Sequence, residues 1–459
     1  MKKYSFLFFT VLILAFTQVQ AQSNGVSDGL KVSTNKKQLV NAKTGLPVFI
    51  LATTAWNINS LNYQEIDTLL KSISSNGFNA VMFTLNFYPQ ANEANVYGQC
   101  AYIGEDKTEL NPAYFSYCDS IVSLCLSYQI YPMIYTMWGG EKAGTMNTYT
   151  AQQLYTLGKK IGIKFKNERN VILVAGGESS PPYVDTTRVN AMGRGLMEGC
   201  QHQNLVSVHP TSMHSNSDFF AQSTWLDFYM THGKSNLSGI DYDFTKAVVK
   251  DYQLKPSKPT MVVEHRYESG VNENPSIQRR TLYLSVFAGA FGYAYGHNAL
   301  WQMTPHTAQQ WMLKSWAAGV DDWKEALNTP AVKQLAYIKP LLYVHPEPCQ
   351  SILLKGDGNR IADKVQVMTF RDKKNKVIGI LAYLSAPKAI TLNTEIIHSK
   401  KLNTYWFNPS NGVMEVISKR LKNTGKFTNE IPLKHQDWVL IIEDSKNKNG
   451  LKLNSHNEK

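Results

Sequence analysis

Between residues 45 and 300, short runs of β-branched and aromatic residues alternate with longer stretches whose apolar positions recur at i, i+3 and i+4. That alternation is the signature of repeated strand–helix units feeding a parallel sheet. The strand-like runs are LPVFILAT (46–53), FNAVMFTL (78–85), IYPMIYTM (130–137), NVILVAGG (170–177), LVSVHP (205–210), LDFYMTH (226–232), TMVVEH (260–265) and AFGYAYG (290–296). Helical spacing falls on 63–76, 114–128, 152–165 and 276–290. Eight units in this span match the size of a TIM (β/α)8 barrel. A doubly wound open sheet competes, but it usually has fewer strands and a Gly-rich phosphate turn after the first. Here that turn reads Ala52-Thr53-Thr54-Ala55-Trp56. The predicted fold class is α/β, a TIM barrel over residues 22–345.

After residue 345 the pattern changes to short alternating strands broken by turn residues, as in 363–384, 403–417 and 436–444. This predicts a small antiparallel β-sandwich over 346–444. The Lys- and Asn-rich end, 445–459, is predicted to be disordered. At the other end, Lys2 and Lys3, an apolar run from Phe6 to Phe16 and the small-residue exit Val19-Gln20-Ala21 have the layout of a signal peptide cleaved after Ala21. The apolar run is shorter than the roughly 20 residues a spanning helix needs, so no membrane span is expected after cleavage. The expected location is the periplasm or the medium.

Composition narrows the class. The chain has 459 residues, 43% of them hydrophobic, with 24 Tyr, 19 Phe and 9 Trp, which excludes a largely disordered protein. The net charge of +12 is uneven: residues 351–459 hold 19 Lys+Arg against 10 Asp+Glu, leaving the barrel segment nearly neutral. A nucleic-acid enzyme would line its working cleft with that charge, so no nucleic-acid partner is expected. Lys-rich edges also keep β-sandwiches from aggregating. The five cysteines are odd in number and lack CxxC spacing, so buried thiols are expected rather than a disulfide framework.

In a TIM barrel the working residues sit at the C-terminal ends of the strands. That rule selects Thr53 and Trp56, Asn86, Trp138, Glu178, His209, His232, Glu264, His297 and Trp301. Glu178 and Glu264, at the ends of the fourth and seventh strands, are the candidate catalytic pair. Glycoside hydrolysis needs two carboxyl groups, one to protonate the leaving oxygen and one to attack or to activate water. Glu178 follows two glycines that permit a tight backbone passage, and it is expected to be buried with a raised pKa. Glu264 ends a run of buried β-formers, where an unpaired charge is costly and needs a partner or a purpose. Trp56, Asn86, Trp138, His209, His232, Tyr267, His297 and Trp301 are the candidate substrate-binding residues. Glu141, Glu268 and Asp185 are nearby alternatives that read as exposed loop carboxylates. The histidines, among them His202, His214, His265 and His306, show no HExxH or comparable spacing, so no metal and no cofactor are predicted.

At these residues the sequence resembles the apiosidase-like glycoside hydrolases, glycoside hydrolase family 140 and the wider apiosidase-like catalytic-domain family. The matching stretches are ATTAW (52–56), GFNAV (77–81), ANVYG (94–98), MWGGEK (137–142), GGESSPP (176–182), HPTSMHSNSDFF (209–220), WLDFYM (225–230), VVEHRYE (262–268) and SVFAGAFGYAYGHNALWQM (285–303), with WFNPSNG (406–412) and DWVL (437–440) in the C-terminal segment. The resemblance implies a TIM-barrel catalytic domain followed by a collagen-binding-type β-sandwich, with Glu178 as acid/base and Glu264 as nucleophile. It also implies an oligosaccharide or polysaccharide substrate from pectic side chains. Two positions depart from the family pattern: Thr53 stands where an Asp is usual, and Glu178 stands where the acid/base is usually Asp. The first departure motivates an alternative, a catalytically inactive carbohydrate-binding protein on the same scaffold.

Overall fold

The computed structural model describes residues 25–86, 94–140, 145–233, 243–268, 274–303, 322–430 and 437–447. The N-terminal segment read as a signal peptide, Glu141, His306 and most of the C-terminal tail lie outside the described residues.

Eight parallel strands follow one another around a barrel: β1 (Ile50–Thr54), β2 (Ala80–Thr84), β3 (Tyr131–Tyr135), β4 (Ile172–Val174), β5 (Val206–Ser207), β6 (Tyr229–His232), β7 (Thr260–Glu264) and β8 (Gly292–Tyr295). Hydrogen-bonded neighbours run β6-β7-β8-β1-β2-β3-β4-β5; each falls within one of the runs marked in the sequence except β1, which extends one residue further, to Thr54. Registers such as Tyr293 opposite Leu51 and Ala52 opposite Ala80 carry the ladder across the β8–β1–β2 seam. Between β5 and β6 closure comes from outside the regular ladder. The Asp227 N–H donates to Val206 O at 2.9 Å, the Val206 N–H donates to the Asp227 carboxylate at 2.8 Å, and Ser207 Oγ donates to Phe228 O at 2.8 Å. β6 pairs on that side with the short antiparallel segment His214–Ser215.

Helices α1 (Tyr63–Ser75), α2 (Pro112–Ser127), α3 (Ala151–Phe165), α4 (Thr186–Cys200), α5 (Ser217–Phe220), α6 (Phe244–Gln253), α7 (Ser276–Phe287) and α8 (Asn298–Gln302) follow the strands one by one. Their starts are written locally. Asn62 and Glu65 form a capping box on α1, Thr150 and Gln153 form one on α3, and Asp185 caps α4. Strand residues alternate between two cores, as period-2 geometry requires. Ala52, Ala80, Met82, Met133, Tyr135, Val174, Met230 and Val263 fill the barrel, while Leu51, Val81, Ile134, Leu173, Val262 and Tyr293 face the helices. Both faces are covered, which is why the strands read as near-continuous apolar runs.

The C-terminal part is a sandwich. Strands β9 (Glu347–Pro348), β10 (Val365–Arg371), β11 (Val377–Leu384), β12 (Lys401–Phe407), β13 (Met414–Lys422) and β14 (Trp438–Asp444) form a six-stranded sheet in the order β9-β10-β11-β14-β12-β13. A three-stranded sheet of Leu353–Lys355, Thr391–Asn393 and Lys426–Thr428 covers one face. Ile380, Ala382, Leu384, Leu440 and Ile442 point between the two sheets. The alternate residues Leu381, Tyr383, Val439 and Ile441 join the core beneath the barrel helices, so the larger sheet is apolar on both faces. At this junction Arg279 of α7 donates to the Asp437 carboxylate from Nε at 3.1 Å and from Nη2 at 2.6 Å. Tyr383 donates to the same carboxylate at 3.1 Å, and the rings of Tyr283 and Tyr383 stack at 5.0 Å.

Cys118, Cys125 and Cys200 are buried free thiols, as expected, whereas Cys100 and Cys349 are only partly buried because they sit on irregular connections at the surface.

Candidate active site

The strand ends bring Glu264 against histidines from two other strands, His209 just past β5 and His232 at the end of β6. Glu264 closes β7 and is 7% exposed. His209 Nε2 lies 3.4 Å from one carboxylate oxygen and His232 Nε2 lies 3.6 Å from the other. Both imidazoles are fully buried and stack face to face at 4.9 Å, and the indole of Trp56 also stacks with His209, at 6.0 Å. The Tyr267 hydroxyl hydrogen-bonds Glu264, and the Trp56 Nε1–H donates to that hydroxyl oxygen at 2.9 Å. An indole N–H thus orients a phenol that donates to the carboxylate. Tyr267 reaches this position because its ring lies where a side chain on Gly296 would be, 2.2 Å from an added Cβ.

Glu178 lies on an interlocked pair of turns. Trp138 forms a bridge with Gly177, the Gly139 N–H donates to Gly177 O at 2.6 Å, and the Gly177 N–H donates to Met137 O at 2.9 Å. The Trp138 ring occupies the space a Cβ on Gly177 would take, 2.1 Å away. The glycine before Glu178 therefore makes room for the Trp138 indole. Glu178 itself has φ 45°, a left-handed conformation that costs a non-glycine residue roughly 1–2 kcal/mol. Its N–H donates to His209 Nδ1 at 3.4 Å. One carboxylate oxygen rests against Gly140, beside the Trp138 Nε1.

Electrostatics follow from burial. Desolvation first, and the neighbouring Glu178 carboxylate second, push Glu264 well above the usual carboxylate range, while the hydrogen bond from Tyr267 opposes the shift. Glu264 is therefore the more buried carboxyl of the pair; Glu178 is only partly buried, so the expectation of a buried Glu178 is corrected. Its turn opens to the barrel mouth, whereas Glu264 ends a strand. Burial, then His232, holds His209 well below its ordinary value. Burial lowers His232 to about 4 against the raising effect of its bond to Pro210 O. Both rings are neutral near pH 7.

The other candidates take distinct places. Trp56, Trp138, Tyr267 and Trp301 share the apolar cluster inside the barrel, and Trp301 O accepts from Asn57 Nδ2 at 3.1 Å. Asn86 is 5% exposed, and its N–H donates to Thr84 Oγ1 at 3.3 Å. His297 is fully buried and caps α8, its Nδ1 accepting from the Ala299 N–H at 3.0 Å. It thereby fixes the helix that carries Trp301. Glu268, read as an exposed loop carboxylate, is instead fully buried. It accepts from Thr329 Oγ1 at 2.9 Å and from the Tyr295 hydroxyl, because the loop after β7 folds back against β8. Asp185 is the α4 cap. Thr53 is buried, and its hydroxyl has no hydrogen-bond partner.

Sequence reading missed Tyr135 and the metal-like grouping of histidines. Tyr135 packs edge-on against Trp56 at 4.8 Å and His209 at 5.9 Å, and its hydroxyl feels the charge of Glu264. Its place at the end of the third strand is the signal that could have found it. His209, His232 and Glu264 offer ligand atoms within 4.8 Å of one another, although they lie on three strands and share no linear motif.

Residues 33–346 match the family model described as "Apiosidase-like, catalytic domain", and residues 348–443 match "Putative collagen-binding domain of a collagenase". None of the curated proteins matches the sequence. Among solved structures, one described as "Glycoside hydrolase" aligns over 92% of this chain and 98% of its own length at 24% identity and a TM-score of 0.76. A glycoside hydrolase family 5 protein from Bacteroides vulgatus ATCC 8482 aligns over 92% and 94% at 24% identity and the same TM-score of 0.76. At that identity the two structures speak to the fold. The family match covers most of the chain, and its barrel places two carboxylates among aromatic and histidine side chains at the strand ends: the protein belongs to the apiosidase-like catalytic-domain family and is a glycoside hydrolase.

Proposed function

We propose that the chain is an exported retaining glycoside hydrolase acting on pectic side-chain glycans. The observation that supports the mechanism is that Glu178 and Glu264 meet the two nitrogens of one buried imidazole, the Glu178 N–H at His209 Nδ1 and the Glu264 carboxylate 3.4 Å from Nε2. In this reading the Glu178 carboxylic acid gives its proton to the glycosidic oxygen as the C–O bond breaks. Glu264 attacks the anomeric carbon, forms a glycosyl ester and releases the first product as an alcohol. Glu178, now a carboxylate, takes a proton from water. The water oxygen then displaces Glu264 and releases the sugar with its original anomeric configuration. Tyr267 steadies the charged form of Glu264, and Trp138 and Trp301 offer apolar faces to sugar rings.

The test follows anomer formation by proton NMR during hydrolysis of a panel of pectic oligosaccharides. The expected result is first appearance of the anomer that matches the substrate, together with a mass increment of one glycosyl unit on Glu264 when a slow fluoroglycoside is used. First appearance of the opposite anomer makes Glu264 the base of an inverting enzyme. Absence of turnover with retained glycan binding favours the alternative motivated by Thr53, a carbohydrate-binding protein.

A further inference from the structure

We propose that His209 Nε2, His232 Nε2 and a carboxylate oxygen of Glu264 form a three-ligand site for Zn2+, and that the ion there competes with glycan for the hydrolase site. Three separate observations carry this. The first is convergence. The imidazole nitrogens stand 3.4 and 3.6 Å from the Glu264 oxygens, and all three ligand atoms lie within 4.8 Å of one another. Tetrahedral Zn2+ with bonds of about 2.0–2.1 Å holds its ligand atoms about 3.3 Å apart, so small side-chain movements close the set.

The second observation is that these atoms are not spent on one another. His209 Nε2, His232 Nε2 and Glu264 Oε2 are buried without a hydrogen-bond partner. Three orphaned polar atoms aimed at one point are unusual in a protein interior, where such groups are normally satisfied. The third is the outer support. His232 Nδ1 faces Pro210 O at 3.3 Å, so the ring proton sits on Nδ1 and the Nε2 lone pair is left for an ion. A metal-ligating imidazole typically has this backing.

Two imidazoles and one carboxylate suit Zn2+ better than Mg2+ or Ca2+, which prefer oxygen ligands. Of the three residues only Glu264 keeps any exposure, so the ion enters, and keeps its open position, on the substrate side. Binding through His209 Nε2 moves that ring's proton to Nδ1, which ends the bond donated by the Glu178 N–H. Occupancy therefore engages Glu264 and unsettles the Glu178 turn together. The competition with glycan rests on the proposed hydrolase reading; the binding does not.

The experiment titrates ZnCl2 into the mature chain by calorimetry without substrate and records the zinc X-ray absorption fine structure of the product. The expected result is one ion per chain with two imidazole nitrogens at about 2.0–2.1 Å. Affinity should fall by about 100-fold or more in His232→Gln and in Glu264→Gln, beyond the cost of losing an outer partner, with no displacement by excess Mg2+. The spectrum of the unmodified protein needs no variant to fold. A spectrum without imidazole scatterers overturns the proposal, as does equal affinity in the unmodified protein and both variants. Either result leaves a water or a substrate hydroxyl as the partner of these atoms. Zinc bound as expected in a chain that hydrolyses no glycoside upholds the site and counts against the hydrolase reading alone.

Discussion

The imidazole of His209 touches both catalytic candidates, with Nε2 3.4 Å from the carboxylate of Glu264 and Nδ1 accepting the N–H of Glu178 at 3.4 Å. In the proposed mechanism it is a positioning residue: one ring sets the spacing of the Glu264 carboxylate and the strained turn that bears Glu178. His209→Asn is expected to lower kcat by about 100-fold, the cost of an ångström-scale displacement of a reacting group, with KM little changed. Steady-state kinetics check this; a rise in KM at constant kcat would make His209 a substrate contact instead.

Tyr267→Phe removes the hydrogen bond that opposes the upward shift of Glu264. In the proposed mechanism Glu264 must be ionised to attack, so activity is expected to fall as pH drops through the Glu264 value. Without Tyr267 that value rises further, and the acid limb of kcat/KM moves to higher pH. A pH–rate profile reads the direction, and a limb that stays in place or moves down would separate Tyr267 from Glu264.

The same burial has a stability consequence of fixed sign. Folded Glu264 holds its proton above the pH at which the unfolded carboxyl releases it, near 4.3 for an ordinary Glu. Its favourable contribution is complete below that value and declines as pH rises toward the folded pKa. Glu264→Gln should therefore melt higher than the unmodified protein near neutral pH, by about 1 °C for each kcal/mol recovered in a chain of this length, and the gain should vanish near pH 4. Thermal scans at the two pH values test this.

Gly140→Ala places a methyl 2.8 Å from the Glu178 carboxylate and 2.9 Å from the Trp138 Nε1. The carboxylate is the free end of a flexible side chain and can swing aside, but the Trp138 ring is buried and seated over Gly177, so part of the crowding falls on the fold. The expectation is kcat/KM down by about 100-fold together with a lowered melting midpoint, read by steady-state kinetics and thermal scans. Activity at the level of the unmodified protein would show that the position of Glu178 does not limit turnover.

Arg279 and Asp437 are 6% and 1% exposed, and they tie α7, the helix that follows Glu264, to the sandwich. Removing one partner of such a buried pair costs about 3–5 kcal/mol. Asp437→Ala should lower the midpoint of the barrel as well as of the sandwich, in a single transition by calorimetry. Two separate transitions, with the barrel's unmoved, would show that the domains unfold independently.

The sequence by itself determined the barrel and its strand ends. Eight apolar runs separated by helical spacing leave few other ways to bury both faces of every strand, and a residue at the end of a run must lie at the mouth. Glu178, Glu264, Trp56 and Trp138 were legible for that reason. Tertiary structure alone decided what depends on distances between strands. It brought His209 and His232 onto Glu264 from strands far apart in the chain, and it set Trp138 over Gly177. It also buried Glu268 behind the mouth and turned the second face of β11 and β14 onto the barrel helices. Periodicity reports which face a residue occupies but not which residue meets it across a closed sheet, and the chemistry of this site depends on those meetings.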